Sequence, residues 1–175
     1  EDRRLEASDP NEENLLFRTP LNLFRVLAVA EAISWTLLIA GLIVRATTDL
    51  AIAVTIGGGI HGFVFLSYGA TAVLVAKNQR WGAWPTIVAV ASAIIPYATI
   101  PTELWLHRSD RLEGPWRLEA TEDPRDASWH DRLMRALLRR PWILAVLIAG
   151  AVALIFVVLL ILGPPGGRAW RPPAR

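Results

Sequence analysis

The stretch Gly57-Gly58-Gly59-Ile60-His61-Gly62-Phe63-Val64-Phe65-Leu66-Ser67-Tyr68 decides how the chain is read. It lies in a run from Leu50 to Ala76 with no acid or base except His61, and a run of that length crosses a bilayer as a helix. His61 is thereby expected at hydrocarbon depth, where a polar group faces other helices rather than lipid. Among the glycines around it, Gly58 and Gly62 form a GxxxG step, which lets a second backbone come close. Tyr68 follows His61 by nearly two turns and shares its face.

Outward from this stretch the chain reads as all-α, an integral membrane helical bundle with four transmembrane helices, the third kinked by Pro96 and Pro101. More than half of the residues are hydrophobic and the charges are segregated from them, the pattern of a membrane protein. The divisions are a polar tail (1–19), a three-helix membrane domain (20–107), a solvated loop with an interfacial helix (108–140), a fourth transmembrane helix (141–163) and a disordered tail (164–175).

The first span, Leu23 to Val44, carries Arg25 at its edge and Glu31 and Ser34 within; Arg45 to Asp49 reads as a tight turn. Trp81 and Trp84 stand where indole rings favour the headgroup boundary. In the third span Pro96 and Pro101 each remove a backbone donor, so an unwound segment is expected over Ile95 to Thr102. Glu103 and His107, four residues apart at its exit, read as a solvated pair. Trp129 to Arg140 has the two-sided pattern of a helix lying in the interface. The fourth span is wholly apolar, and Ala145, Ala149 and Ala153 give it a smooth packing face.

The chain has no cysteine, which excludes disulfides, thiol catalysis and Cys-ligated metal centres. Its basic residues lie beside apolar runs, as topology signals do, and no nucleic-acid surface is expected. Arginine outnumbers lysine and alanine is abundant, which suggests a high-GC genome and a multi-pass protein of the bacterial plasma membrane. With four crossings the positive charges divide nine against nine, so orientation stays open.

Depths along the helices, at about 1.5 Å per residue, bring polar groups into two layers. Glu31 lies roughly 9 Å past Arg25 and Tyr68 roughly 13 Å before Lys77, so Glu31, Ser34, Tyr68 and Ser92 form one layer. His61, roughly 24 Å from that side, is grouped with Tyr97 and Thr99. An acid in hydrocarbon costs about 2.5 to 3.5 kcal/mol on insertion scales, so Glu31 faces the interior, either as a helix-to-helix hydrogen bond or as a group that titrates in function.

The segment from Phe24 to about His107 resembles the uncharacterised actinobacterial membrane family called domain of unknown function 3817. The resemblance rests on Arg25 leading to Glu31, the His-Gly-x-x-Phe-x-x-Tyr pattern of His61, Gly62, Phe65 and Tyr68, and the Pro-aromatic-x-Thr turn of Pro96, Tyr97 and Thr99. Ala98 stands where that family often has glycine. The resemblance implies architecture and no reaction.

Three functional classes follow. The first is a non-enzymatic subunit of a membrane complex or a homo-oligomer, whose partners are the lipid bilayer, other membrane subunits or a second copy. The second is a proton-coupled transporter or channel component using Glu31 and His61. The third is a haem- or metal-binding membrane protein, for which the sequence offers no second buried histidine and no HExxH, so no cofactor, metal or catalytic residue is expected.

Overall fold

The computed structural model describes residues 19–48, 50–120 and 122–162, without the side chains of residues 125, 130, 137, 141, 144, 145, 156, 159, 160 and 162. The two predicted tails, Thr19 apart, lie outside the described residues. Every regular element among the described residues is helical: α1 (Pro20–Thr48), α2 (Ala51–Asn78), α3 (Ala83–Ala91), α4 (Thr99–Arg108), α5 (Trp129–Leu138) and α6 (Pro141–Leu162), with short 3-10 turns at Ser92–Ile94 and Pro124–Ala127. Helices α1 and α2 are each long and apolar enough to cross a membrane.

The Thr19 hydroxyl caps α1, accepting the Asn22 N–H at 3.1 Å, and Pro20 opens the helix where its missing donor costs least. The expected turn starts later than Arg45, because α1 continues through Arg45 to Thr48. The Thr47 and Thr48 hydroxyls donate back to the Ile43 and Val44 carbonyls of the last turn. Helix α2 starts at Ala51, so the two long helices form a tight antiparallel hairpin.

Glycine sets the closeness of that hairpin. A Cβ at Gly57 would stand 2.7 Å from the Leu37 carbonyl oxygen, and one at Gly41 would stand 2.7 Å from the Ala53 carbonyl oxygen. Backbone meets backbone at both points, one turn apart on each helix. The close approach expected at Gly58 therefore falls one residue earlier, at Gly57. Gly58 faces only a Leu38 methyl at 3.8 Å, an ordinary contact, and Gly62 is half-buried. One residue is about 100° around a helix, enough to change the face. The alanine face of α6 is likewise not its packing face. Ala149 and Ala153 are exposed, while Val152 and the half-buried Ile148 turn inward; the Ala145 side chain lies outside the described residues.

The third predicted span is not one continuous helix. From Ala83 to Ile94 the helical path is about 18 Å, short of the roughly 30 Å of a hydrocarbon core. The chain then reverses at Ile95–Ala98. The Ala98 N–H donates to the Ile95 carbonyl at 3.1 Å across Pro96 and Tyr97, and Tyr97 has φ 65°. Proline in the second place and a left-handed residue in the third are the marks of a type II turn, with tyrosine where glycine is usual. Ala98, the position where the resembled family has glycine, is not the left-handed one. Pro101 lies in the first turn of α4, where its missing N–H has no helical acceptor to lose, so there is one break rather than two.

Contacts after the turn climb back along α1. Thr99 Oγ1 donates to the Ala28 carbonyl at 2.9 Å, Arg25 Nε donates to Glu103 Oε1 at 2.8 Å, and Leu106 packs with Phe24. The Trp81 indole then donates to the Arg111 carbonyl at 2.7 Å. Helices α3 and α4 thus form a hairpin with both ends beside the N-terminal end of α1, where a single helix kinked by Pro96 and Pro101 was expected. Glu103 pairs with Arg25 and is buried, so the expected solvated pair with His107 is corrected too.

The following segment, most of whose described residues are exposed, folds over the same end. Arg117 donates to the Lys77 and Asn78 carbonyls at the end of α2, at 2.9 and 2.6 Å. Asp126, 2% exposed, receives Arg80, Arg117 and Arg135 at 2.7, 3.0 and 3.4 Å. Helix α5 occupies the expected place, packing Met134 and Leu138 on Leu74, Trp116 and Ile148, so α6 also starts from this end.

Gly57→Ala should lower the thermal stability of the purified protein in detergent by about 1–3 kcal/mol, the usual cost of overpacking. Gly58→Ala should leave it unchanged or raise it, since alanine is the better helix former. Equal shifts for the two variants would contradict the close contact at Gly57.

Candidate functional site

On α1, Ala28, Glu31, Ser34 and Trp35 follow at three- and four-residue steps and line one face. The hairpin register set by Gly41 and Gly57 brings that face against His61 of α2. Ser34 Oγ lies 2.9 Å from His61 Nδ1, 3.0 Å from Glu31 Oε2 and 2.8 Å from the Glu31 carbonyl oxygen. His61 Nδ1 and Glu31 Oε2 are 3.8 Å apart. Glu31 is fully buried, and its Oε1 has no hydrogen-bond partner.

Aromatic rings hold the imidazole. Trp35 lies 4.4 Å from it and Phe65 6.0 Å, centroid to centroid. The Trp35 indole also donates to the Ala93 carbonyl at 3.2 Å, so the same side chain joins the site to the tip of the α3–α4 hairpin.

The predicted layers regroup. Glu31, Ser34 and His61 come together, while Tyr68 and Ser92 form a separate pair, with hydroxyls 3.1 Å apart and both donating toward the Ala89 carbonyl. Thr99 is buried on α1 through Ala28, and Tyr97 is exposed, 3.3 Å from the Thr36 hydroxyl. The two-layer expectation failed because depth was counted from Arg25 and Lys77, at the open ends of the helices. Counted from the helix ends at the shared turn, Thr48 and Ala51, Ser34 and His61 differ by about four residues, roughly 6 Å. Trp35 was missed, although a tryptophan in the middle of a span is out of place as an interface anchor.

A serine hydroxyl offers one hydrogen and two lone pairs, and here it stands between two titratable side chains. No group of three His, Asp or Glu that could hold a metal ion occurs among the described residues. A cavity of about 670 Å³ lies between α2, α3 and α6, lined by apolar residues that include Phe65, Gly69, Val90, Leu147 and Val152. Glu31, Ser34 and His61 do not line it.

Glu31→Gln, which keeps the shape and an acceptor, should fold nearly as well as the parent. Glu31→Leu leaves Ser34 and His61 without their partner and should lose about 1–3 kcal/mol. Thermal unfolding in detergent decides this, and equal stability of all three proteins would exclude a bonded interior Glu31.

The profile of the family described as domain of unknown function 3817 matches residues 21–108. A Streptomyces coelicolor protein named as a membrane protein is 37% identical over 108 residues. That match covers 59% of this chain and 12% of the relative, so the chain spans only a small part of that protein's length. No solved structure matches the chain. The matched residues take in α1, α2 and the α3–α4 hairpin, with the whole Glu31–Ser34–His61 cluster, and the chain belongs to the family called domain of unknown function 3817.

Proposed function

We propose that this chain is a small, non-enzymatic, multi-pass subunit of a bacterial plasma-membrane assembly. Helices α1, α2 and α6 cross the bilayer, and the α3–α4 hairpin enters and leaves by one face. The observation that carries the reading is the make-up of the end where α3 begins and α4 finishes. Trp84, Trp105, Trp129 and Trp142 are all exposed there, as an aromatic belt at a headgroup boundary would be. Eleven of the twelve described Lys and Arg residues belong to the same end, Arg45 being the exception. By the bias of positive charge toward the cytoplasm, that end faces inward, which the nine-against-nine division could not decide. Exposed Ile94 and Ile95 at the hairpin tip then meet hydrocarbon.

A packing role is favoured over transport because several of the buried polar side chains bond to backbone carbonyls. Tyr68, Ser92, Thr99 and Trp35 all join helices, and the cavity beside α6 is apolar and apart from the cluster.

The cysteine-free chain suits labelling from either side of oriented vesicles. Gly82→Cys and Glu113→Cys should react with an impermeant maleimide from the same side and Thr47→Cys from the other. Opposite sides for Gly82→Cys and Glu113→Cys would restore a crossing third segment and overturn the hairpin. Cross-linking in native membranes should yield a species larger than the monomer, and a monomer throughout would overturn the subunit reading.

A further inference from the structure

We propose that Glu31 and His61 share a transferable proton through the hydroxyl of Ser34, so that the cluster is a proton-binding relay inside the apolar layer. Three observations carry this. The carboxylate and imidazole are 3.8 Å apart, too far for direct transfer, while the serine stands at 3.0 and 2.9 Å from them, within hydrogen-bond distance of both. The serine is buried, so no competing water is needed to link them. Glu31 Oε1, also buried, is an acceptor with no hydrogen-bond partner.

The proton count closes. In one form Glu31 carries its proton on Oε2 and donates to Ser34 Oγ, while Ser34 donates to His61 Nδ1. As the Glu31 O–H bond breaks, a new Ser34 O–H bond forms; as the original Ser34 O–H bond breaks, the His61 Nδ1–H bond forms. With Nε2 already protonated, the result is a carboxylate, an unchanged serine and an imidazolium. Neither form has a net charge, so the transfer needs no counter-ion at a depth where a lone charge is costly.

Other titratable groups on the packed elements are otherwise engaged. Tyr68 of α2 bonds Ser92 and Ala89, Glu103 of α4 is held by Arg25 of α1, and Tyr97 of the hairpin turn faces Thr36. Helix α3 contributes no ionisable side chain. The relay does not depend on which end faces the cytoplasm, so it and the proposed topology fail independently.

The test is the ¹⁵N resonance of His61 in ¹⁵N-histidine-labelled protein in detergent, followed across pH. The parent should titrate His61 in two coupled steps. Glu31→Gln should abolish one step, and Ser34→Ala should leave a single step displaced by about one pH unit, a tenfold change in proton affinity. A merely structural role for Ser34 would change melting temperature without moving this profile. Identical His61 curves in the parent and both folded variants would overturn the relay. Should Glu31→Gln not fold, the infrared carbonyl band of Glu31 in His61→Gln gives the second reading. A midpoint displaced from the parent by about one pH unit supports the relay, and an unmoved band overturns it.

Discussion

The backbone reverses at Ile95–Ala98 within an otherwise apolar layer, and every other feature of the fold accommodates that reversal. Away from water an unpaired N–H or C=O costs several kcal/mol, so in the proposed placement of the hairpin the turn's polar groups must be spent locally. The Ile95 N–H goes to Ser92, that of Ala98 to Ile95, that of Ile100 to Tyr97 and that of Thr102 to Ala98. Pro96 has no N–H to satisfy. The Ala93 carbonyl takes the Trp35 indole, and the Ala89 carbonyl takes the hydroxyls of Tyr68 and Ser92. The polar side chains of α1 and α2 are thus in large part acceptors and donors for a third element that is not a continuous helix.

Returning α4 to its starting end has a second consequence. Residues 109–140 emerge beside the C-terminus of α2, where the last helical carbonyls lack partners and the helix dipole is negative. Arg117 answers both needs by donating to the Lys77 and Asn78 carbonyls while its other amine reaches Asp126. Burying Asp126 would be costly alone, but Arg80, Arg117 and Arg135 surround it, and such a carboxylate is tolerated because its partners are held by the backbone. Trp81 closes the join, packing on Phe24 at 6.1 Å and bonding to Arg111. It is a structural clamp rather than the headgroup anchor its place in the sequence suggested.

The long apolar runs of α1, α2 and α6, the interfacial pattern of α5 and the break at Pro96 are all legible in the sequence, because each follows from local composition. The direction of the chain after Pro96 is not. A proline followed by an aromatic residue fits either a kink that continues or a turn that reverses, and the choice rests on whether Tyr97 accepts a left-handed conformation. The discriminating signs were present but dispersed. Trp84 and Trp105 bracket the segment, and Glu103 provides an acid for Arg25. In the same way His61 was legible as interior, but its partner was not, since that depends on the register of two helices joined by a turn and not on the depth of either one.

That register links packing to chemistry. Gly57 precedes His61 by one helical turn, and Leu37, whose carbonyl oxygen occupies the space of the missing Cβ, follows Ser34 by about one turn. The contact at Gly57 therefore governs how far His61 stands from Ser34. Their 2.9 Å separation is a hydrogen bond, whereas the same atoms an ångström further apart would be no bond at all. Trp35, adjacent to Ser34, carries this constraint across to Ala93 at the hairpin tip. A glycine that looks like a packing device thus sets the geometry of the polar cluster, and through Trp35 that geometry is tied to the tip of the α3–α4 hairpin.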